Sequence, residues 1–328
     1  MRNIGFSEAI SCLKARENNF YDIQLPRSEI WMNPEGSMRL GEALPSVPLQ
    51  EQALLTLANR IGIQAGYLKK CSGELIDLRA ENVNRWLHQL PNDKEFFVRM
   101  DGNECRAILS TSYVPVSNMD LLERFYGLYH HSDEFMRVNL DLDSVAMSAQ
   151  VYWISDEYTV ELKPGDISHL GIHIGNSEVG FRSVEFSAYI FRLICTNGMV
   201  TGEKTLSFRR PHFTNVDRLE DLIDEAVPEI INSLPRTGEL FRRSMDIEVA
   251  DPDKELDILC NRHKLTVDQK EIVITVFQRN RQFTLFGLIN AFTGAANQDG
   301  ISLESRRMLQ MAGGALLVEA GRNQKRGA

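Results

Sequence analysis

The 328-residue chain contains no stretch approaching 18 consecutive apolar residues, so the sequence offers no membrane-spanning helix. Its first residues, Met1-Arg2-Asn3-Ile4-Gly5-Phe6-Ser7-Glu8, lack the apolar run of a signal peptide, and a cytoplasmic location without membrane partners is expected. Cysteine is sparse. Cys12, Cys71, Cys105, Cys195 and Cys260 are odd in number, scattered and never spaced Cys-x-x-Cys, which points to reduced thiols rather than a disulfide framework. Also missing are Gly-x-x-x-x-Gly-Lys-Ser/Thr, Gly-x-Gly-x-x-Gly after a strand, His-Glu-x-x-His and Gly-x-Ser-x-Gly. Without the common nucleotide, zinc-protease and hydrolase signatures, no cofactor or metal is expected.

What is present has globular proportions. Hydrophobic residues at 43% and charged residues at 25% suffice for a core, and the length admits two domains or one large domain with a helical subdomain. The net charge of −9 is unevenly spread. Residues 217–257 hold thirteen acids against five bases, whereas residues 258–328 hold ten Lys or Arg against five Asp or Glu. Basic surfaces can therefore exist on an acidic chain.

Periodicity predicts an α+β fold: a largely antiparallel sheet in the middle of the chain and a helical C-terminal subdomain. Residues 1–50, with Pro26, Pro34, Pro45 and Pro48 and little periodicity, read as an extended N-terminal arm suited to self-association. An α+β domain with the main sheet is expected over 51–215, helices over 216–320 and a disordered basic tail over 321–328. Helical spacing marks 53–61, 80–90 and 121–128, and Asp101-Gly102 between alternating runs marks a hairpin over 96–111. Strands are expected near 145–154, 158–162, 167–174 and 184–194, and five or six helices after His212.

Few residues carry chemistry on spacing alone. His169 and His173 stand four apart, but the segment alternates as a strand, where i and i+4 lie roughly 13 Å apart, so they share a face without sharing a metal. Asp141 and Asp143 are read as same-side residues of a strand, and His130-His131 as a cap at a helix end. Richer is the stretch from 198 to 213, which sets Lys204, Arg209, Arg210 and His212 beside Phe208 and Phe213, with Arg182 and Arg192 just before it. Cations beside exposed aromatics suit single-stranded nucleic acid, since phosphates take the charge and bases stack on rings. The plainer reading makes the rings core and the arginines partners of carboxylates.

Asn176-Ser177-Glu178-Val179-Gly180, Ser183, and Cys195-Thr196-Asn197-Gly198-Met199-Val200 resemble the phage/plasmid-like proteins carrying domain of unknown function 932. Ser112-Tyr113-Val114-Pro115-Val116-Ser117-Asn118, Arg210-Pro211-His212 and Leu288-Ile289-Asn290-Ala291-Phe292-Thr293 match as well, so the resemblance spans about 95–315. It implies carriage on phages, plasmids and integrative elements and no accepted biochemical activity. Turn geometry explains Gly175, Gly180, Gly198, Asn176 and Asn197, although strand ends could also gather polar side chains into a site. Three functions stay open: an oligomeric binder of single-stranded nucleic acid in annealing or recombination, using Arg182, Arg192, Lys204, Phe208, Arg209, Arg210 and His212; a non-enzymatic interaction module with the acidic 217–257 segment as a contact surface; and an enzyme using Glu178, Asn197 and His212, the last as general base.

Overall fold

The computed structural model describes residues 2–129, 136–193, 197–200, 207–212 and 219–326. His130, His131, Cys195, Lys204 and Phe213 lie outside the described residues. The chain begins with β1 (Arg2–Gly5), α1 (Phe6–Glu17), β2 (Phe20–Pro26), β3 (Ile30–Met32) and β4 (Met38–Leu40). It continues through α2 (Glu51–Ile61), α3 (Ala65–Lys70), α4 (Ile76–Leu87), the hairpin β5 (Glu95–Asp101) and β6 (Glu104–Ser110), and α5 (Asn118–Tyr129). The strands β7 (Met136–Leu142), β8 (Met147–Trp153), β9 (Thr159–Glu161), β10 (Ile167–Asn176), β11 (Val184–Arg192), β12 (Asn197–Val200) and β13 (Ser207–Arg210) follow. Five helices close the described chain: α6 (Leu219–Arg243), α7 (Pro252–Arg262), α8 (Val267–Arg279), α9 (Leu285–Ala296) and α10 (Leu303–Arg326). The fold is α+β, with the expected antiparallel sheet and C-terminal helices.

The main sheet runs β1-β7-β8-β10-β11-β12, with β9 on β10 and β13 continuing the edge beside β11. Its pairings are antiparallel, and period two sorts its residues into contrasting faces. Val138, Leu140, Ala149, Val151, Ile172, Ile174, Phe186 and Ala188 enter one apolar core with α1, α5 and α6. The opposite positions are polar: Asn139, Asp141, Ser148, Gln150, His169, His173, Glu185 and Ser187, all buried. Such a face would ordinarily meet water. Here the first turns of α10 cover it, with Arg306 bonded to Asp141, Arg307 to Glu185 and Gln310 to Gln150.

The segment 51–215 is not a single sheet domain. The 95–110 hairpin belongs to a separate three-stranded sheet, β2-β5-β6, which with β3-β4 and α2, α3 and α4 surrounds its own core of Met32, Leu57, Val83, Phe96, Val98 and Ile108. Nor are residues 2–50 an arm. β1 pairs with β7, β2 pairs with β5, and Phe6, Ala9 and Leu13 of α1 are buried in the main core. The prolines punctuate short elements: Pro26 closes β2, and Pro34 sits in the β3-β4 turn. The basic tail is also corrected, since α10 continues to Arg326. Among the described residues, no helix is long and apolar enough to cross a membrane.

Phe6 stacks against Phe125 at 6.1 Å and Tyr126 at 4.8 Å, joining α1 to α5. Phe6→Ala is therefore expected to cost about 3–5 kcal/mol in urea unfolding. A cost below about 1 kcal/mol would restore the arm reading.

Candidate functional site

The Asn176-Ser177-Glu178-Val179-Gly180 motif leaves the end of β10 and enters the junction between the two units. Glu178, 3% exposed, accepts from Arg106 at 2.8 Å and from the Asn118 backbone N–H at 2.9 Å. Its own carbonyl accepts from Arg99 at 2.6 Å, the Val179 carbonyl from Gln52 at 3.2 Å, and the Ser177 carbonyl from the Tyr113 hydroxyl at 2.9 Å. Asn176 donates to the Val116 carbonyl and to Asn118 Oδ1. Gly180 turns the chain at φ +72°, a conformation glycine adopts freely, and a Cβ there would meet Leu109 at 2.9 Å. Gly175 is not a turn residue. It lies inside β10, where a Cβ would collide with the Glu185 side chain at 2.8 Å.

Glu17, at the end of α1, reaches the same place. Its carboxylate accepts from the Ser117 hydroxyl at 2.8 Å and the Met119 N–H at 2.9 Å, so two carboxylates answer consecutive unpaired N–H groups at the start of α5. Burial raises the Glu17 pKa above its ordinary 4.5, and repulsion from Glu178 adds to the rise.

Across the sheet lies a second network. Ser148 and His173 Nε2 are 2.9 Å apart, and His173 Nδ1 stands 3.6 Å from Glu185. Burial pushes His173 down to about 4, against the opposing pull of Glu185, so the imidazole is neutral at pH 7. Glu185 is gripped by both arms of the Arg307 fork at 2.7 and 2.6 Å and touched by Arg209 at 3.2 Å. Burial opposes its ionisation, but Arg307, His173 and Arg209 together hold the carboxyl at about 2. Glu304 joins Arg182 at 2.7 Å and Arg307 at 3.5 Å. Three guanidinium groups thus face two carboxylates.

The sequence candidates divide between these networks. Arg192 forks onto Asp166 at 2.7 and 2.6 Å and lies over the Phe286 ring, so it holds the β10-β11 end to α9. Phe208 is partly buried, packing against the main core opposite Phe186. His212 is buried, lies parallel to Tyr113 at 4.9 Å and has Nδ1 3.0 Å from the Val114 carbonyl; burial lowers its pKa. Arg209 is half exposed beside Glu185, and Arg210 follows it in β13. Arg182 is largely buried, and its Nε and Nη1 have no hydrogen-bond partner among the described residues.

Glu178 and His212 approach the same junction, but Asn197 does not join them. Asn197 pairs with Arg192 at one end of β11, whereas Arg210 pairs with Val184 eight residues away. That interval is roughly 26 Å of strand, far beyond proton-transfer reach. Asp143 leaves the strand of Asp141 and caps the following turn through the Val145 and Ala146 N–H groups. His169 and His173 do share the polar face. Sequence reasoning passed over Phe181, whose ring is 41% exposed and 5.6 Å from the Arg182 guanidinium. An aromatic-cation pair directly after a glycine turn was the available signal.

These features define an antiparallel α+β protein with two buried charge networks and a small aromatic-cationic surface. The family model described as Domain of unknown function (DUF932) matches residues 107–320, and the chain belongs to that family. No curated protein matches the chain, and no solved structure does.

Because Glu17 is raised, its ionisation opposes folding: the penalty is absent below about pH 4.5 and grows as the pH rises through the folded value. Glu17→Gln should thus be more stable than the parent at pH 7, and the two urea midpoints should converge near pH 4. A variant less stable at pH 7 would show that the carboxylate's hydrogen bonds outweigh its repulsion.

Proposed function

We propose that this chain is a protein of phage- and plasmid-type mobile elements that binds single-stranded nucleic acid in annealing or recombination, through a surface built from Phe181, Arg182 and Arg209, with Arg210 following in β13; Lys204, the remaining basic candidate of the sequence, lies outside the described residues. The observation that carries this reading is Arg182. Two buried guanidinium donors, Nε and Nη1, without partners among the described residues are costly, about 1–3 kcal/mol each, and phosphate oxygens are charged acceptors able to answer them. The surplus of one positive charge in the Glu185 network supports it, because Arg307 already answers Glu185 with both arms and leaves Arg209 available to solvent.

Phe181 supplies a more exposed ring for stacking than the partly buried Phe208. Its ring stands over Arg182, so outward movement of the ring would uncover the donors to a phosphate while a base takes the ring face. Residues 2–50 are committed within the subunit, so oligomers would associate through folded surfaces rather than by exchange of an arm.

Fluorescence anisotropy with labelled single-stranded and duplex oligonucleotides tests this. Neutralisation of three phosphates gives a slope of log K against log salt near about −2, and Arg209→Ala/Arg210→Ala should reduce its magnitude by about 1.4. Phe181→Ala should cost about 1–3 kcal/mol with the slope unchanged. Absence of binding at low salt, or a slope indifferent to the arginines, would overturn the reading.

A further inference from the structure

Away from both networks, the helical unit holds an open groove of about 550 Å³ between the extended segment before α7 and the helices α9 and α10. Half-buried Ile247, Val249 and Ala320 form its apolar walls, over a floor of the buried Leu285, Leu288 and Leu316. The residue spacings are regular: alternate positions on the extended segment, i and i+3 on α9, i and i+4 on α10. Glu248, Glu255 and Glu319 stand along the same groove. Glu319 meets Arg262 at 3.0 Å, both half exposed, whereas Glu248 and Glu255 form no ion pair among the described residues. Residues 246–257 contain six acids and a single lysine, and although Asp253 pairs with Arg281 and Asp257 with Lys270, the segment keeps a negative excess.

We infer that this groove docks a basic amphipathic helix of another protein, its apolar stripe on Ile247, Val249 and Ala320 and its Lys or Arg residues on Glu248 and Glu255. An amphipathic helix presents side chains at i, i+3, i+4 and i+7, the pattern that a trough between two helices accepts. The volume lies in the range of built binding sites. Charge decides the class of occupant: carboxylates without an ion pair among the described residues, beside an apolar trough, repel an acidic helix, a fatty acid or a nucleic acid and attract a cationic partner. The surface differs in place and sign from the proposed nucleic-acid surface, so the two inferences stand or fall separately.

A labelled peptide of about 18 residues, with leucines at i, i+3, i+4 and i+7 and lysines elsewhere, is the probe, and its counterpart with glutamates for lysines is the control. The full chain is expected to bind the lysine peptide and not the glutamate one. Glu248→Lys/Glu255→Lys should weaken binding by about tenfold, equivalent to about 1.4 kcal/mol, with an unchanged unfolding midpoint. Ala320→Trp, which fills the trough and leaves the net charge unchanged, should also weaken it by about tenfold. Equal binding of both peptides, or binding indifferent to these variants, would overturn the inference. So would sedimentation showing that the chain dimerises and that Glu248→Lys/Glu255→Lys releases monomers, because the occupant would then be a second copy.

Discussion

A buried carboxylate holds this molecule together. Glu178 lies where the small N-terminal unit, the start of α5 and the end of β10 meet, and it bonds to Arg106 of the first and the Asn118 N–H of the second. A carboxylate so enclosed is tolerable only when its partners are complete, since either charge left alone in the interior costs several kcal/mol. That requirement fixes the separation of the two units. The neighbouring carbonyls of Ser177, Glu178 and Val179 each accept from a side chain of the preceding residues, so the motif acts as a peg rather than a loop. Its geometry also sets where Phe181 and Arg182 emerge, one turn later, beside β13 and α10.

The polar face of the sheet follows the same logic at larger scale. Strands that alternate apolar and polar residues ordinarily leave the polar side to water, yet α10 seals this one and must supply partners for what it buries. Arg306, Arg307 and Gln310, spaced three and four apart along one helix face, do so. The seal is incomplete at Arg182 and Arg209, where cation exceeds anion. Where a buried network is left with unanswered donors is where an anionic ligand adds most.

Local order was readable from residues alone. Asp101-Gly102 identified the β5-β6 hairpin, period two located β8 to β11, and period 3.6 located the helices after residue 219. Long-range pairing was not, because the second partner of β5 is β2, some 75 residues earlier, and no local pattern records that contact. The proline-rich beginning misled for a similar reason: short elements broken by proline lack periodicity even when fully packed. Site residues were legible by type and not by employment. The charges of Arg182 and Arg192 are visible in sequence, but their partners Glu304 and Asp166 are distant or unremarkable there. In sequence Phe208 reads as a ring near cations, whereas its register opposite Phe186 turns it toward the core and turns Arg209 outward.

The central claim, that the Glu178-Arg106 pair binds the two units, is most directly tested by a double-mutant cycle on unfolding free energy. Arg106→Met leaves the buried carboxylate without its guanidinium and should cost about 3–5 kcal/mol. Adding Glu178→Gln, which keeps an acceptor for the Asn118 N–H, should then recover a substantial part of that loss. Additive losses in the double variant would mean that the two side chains are not energetically coupled, and the junction would have to be held by packing instead.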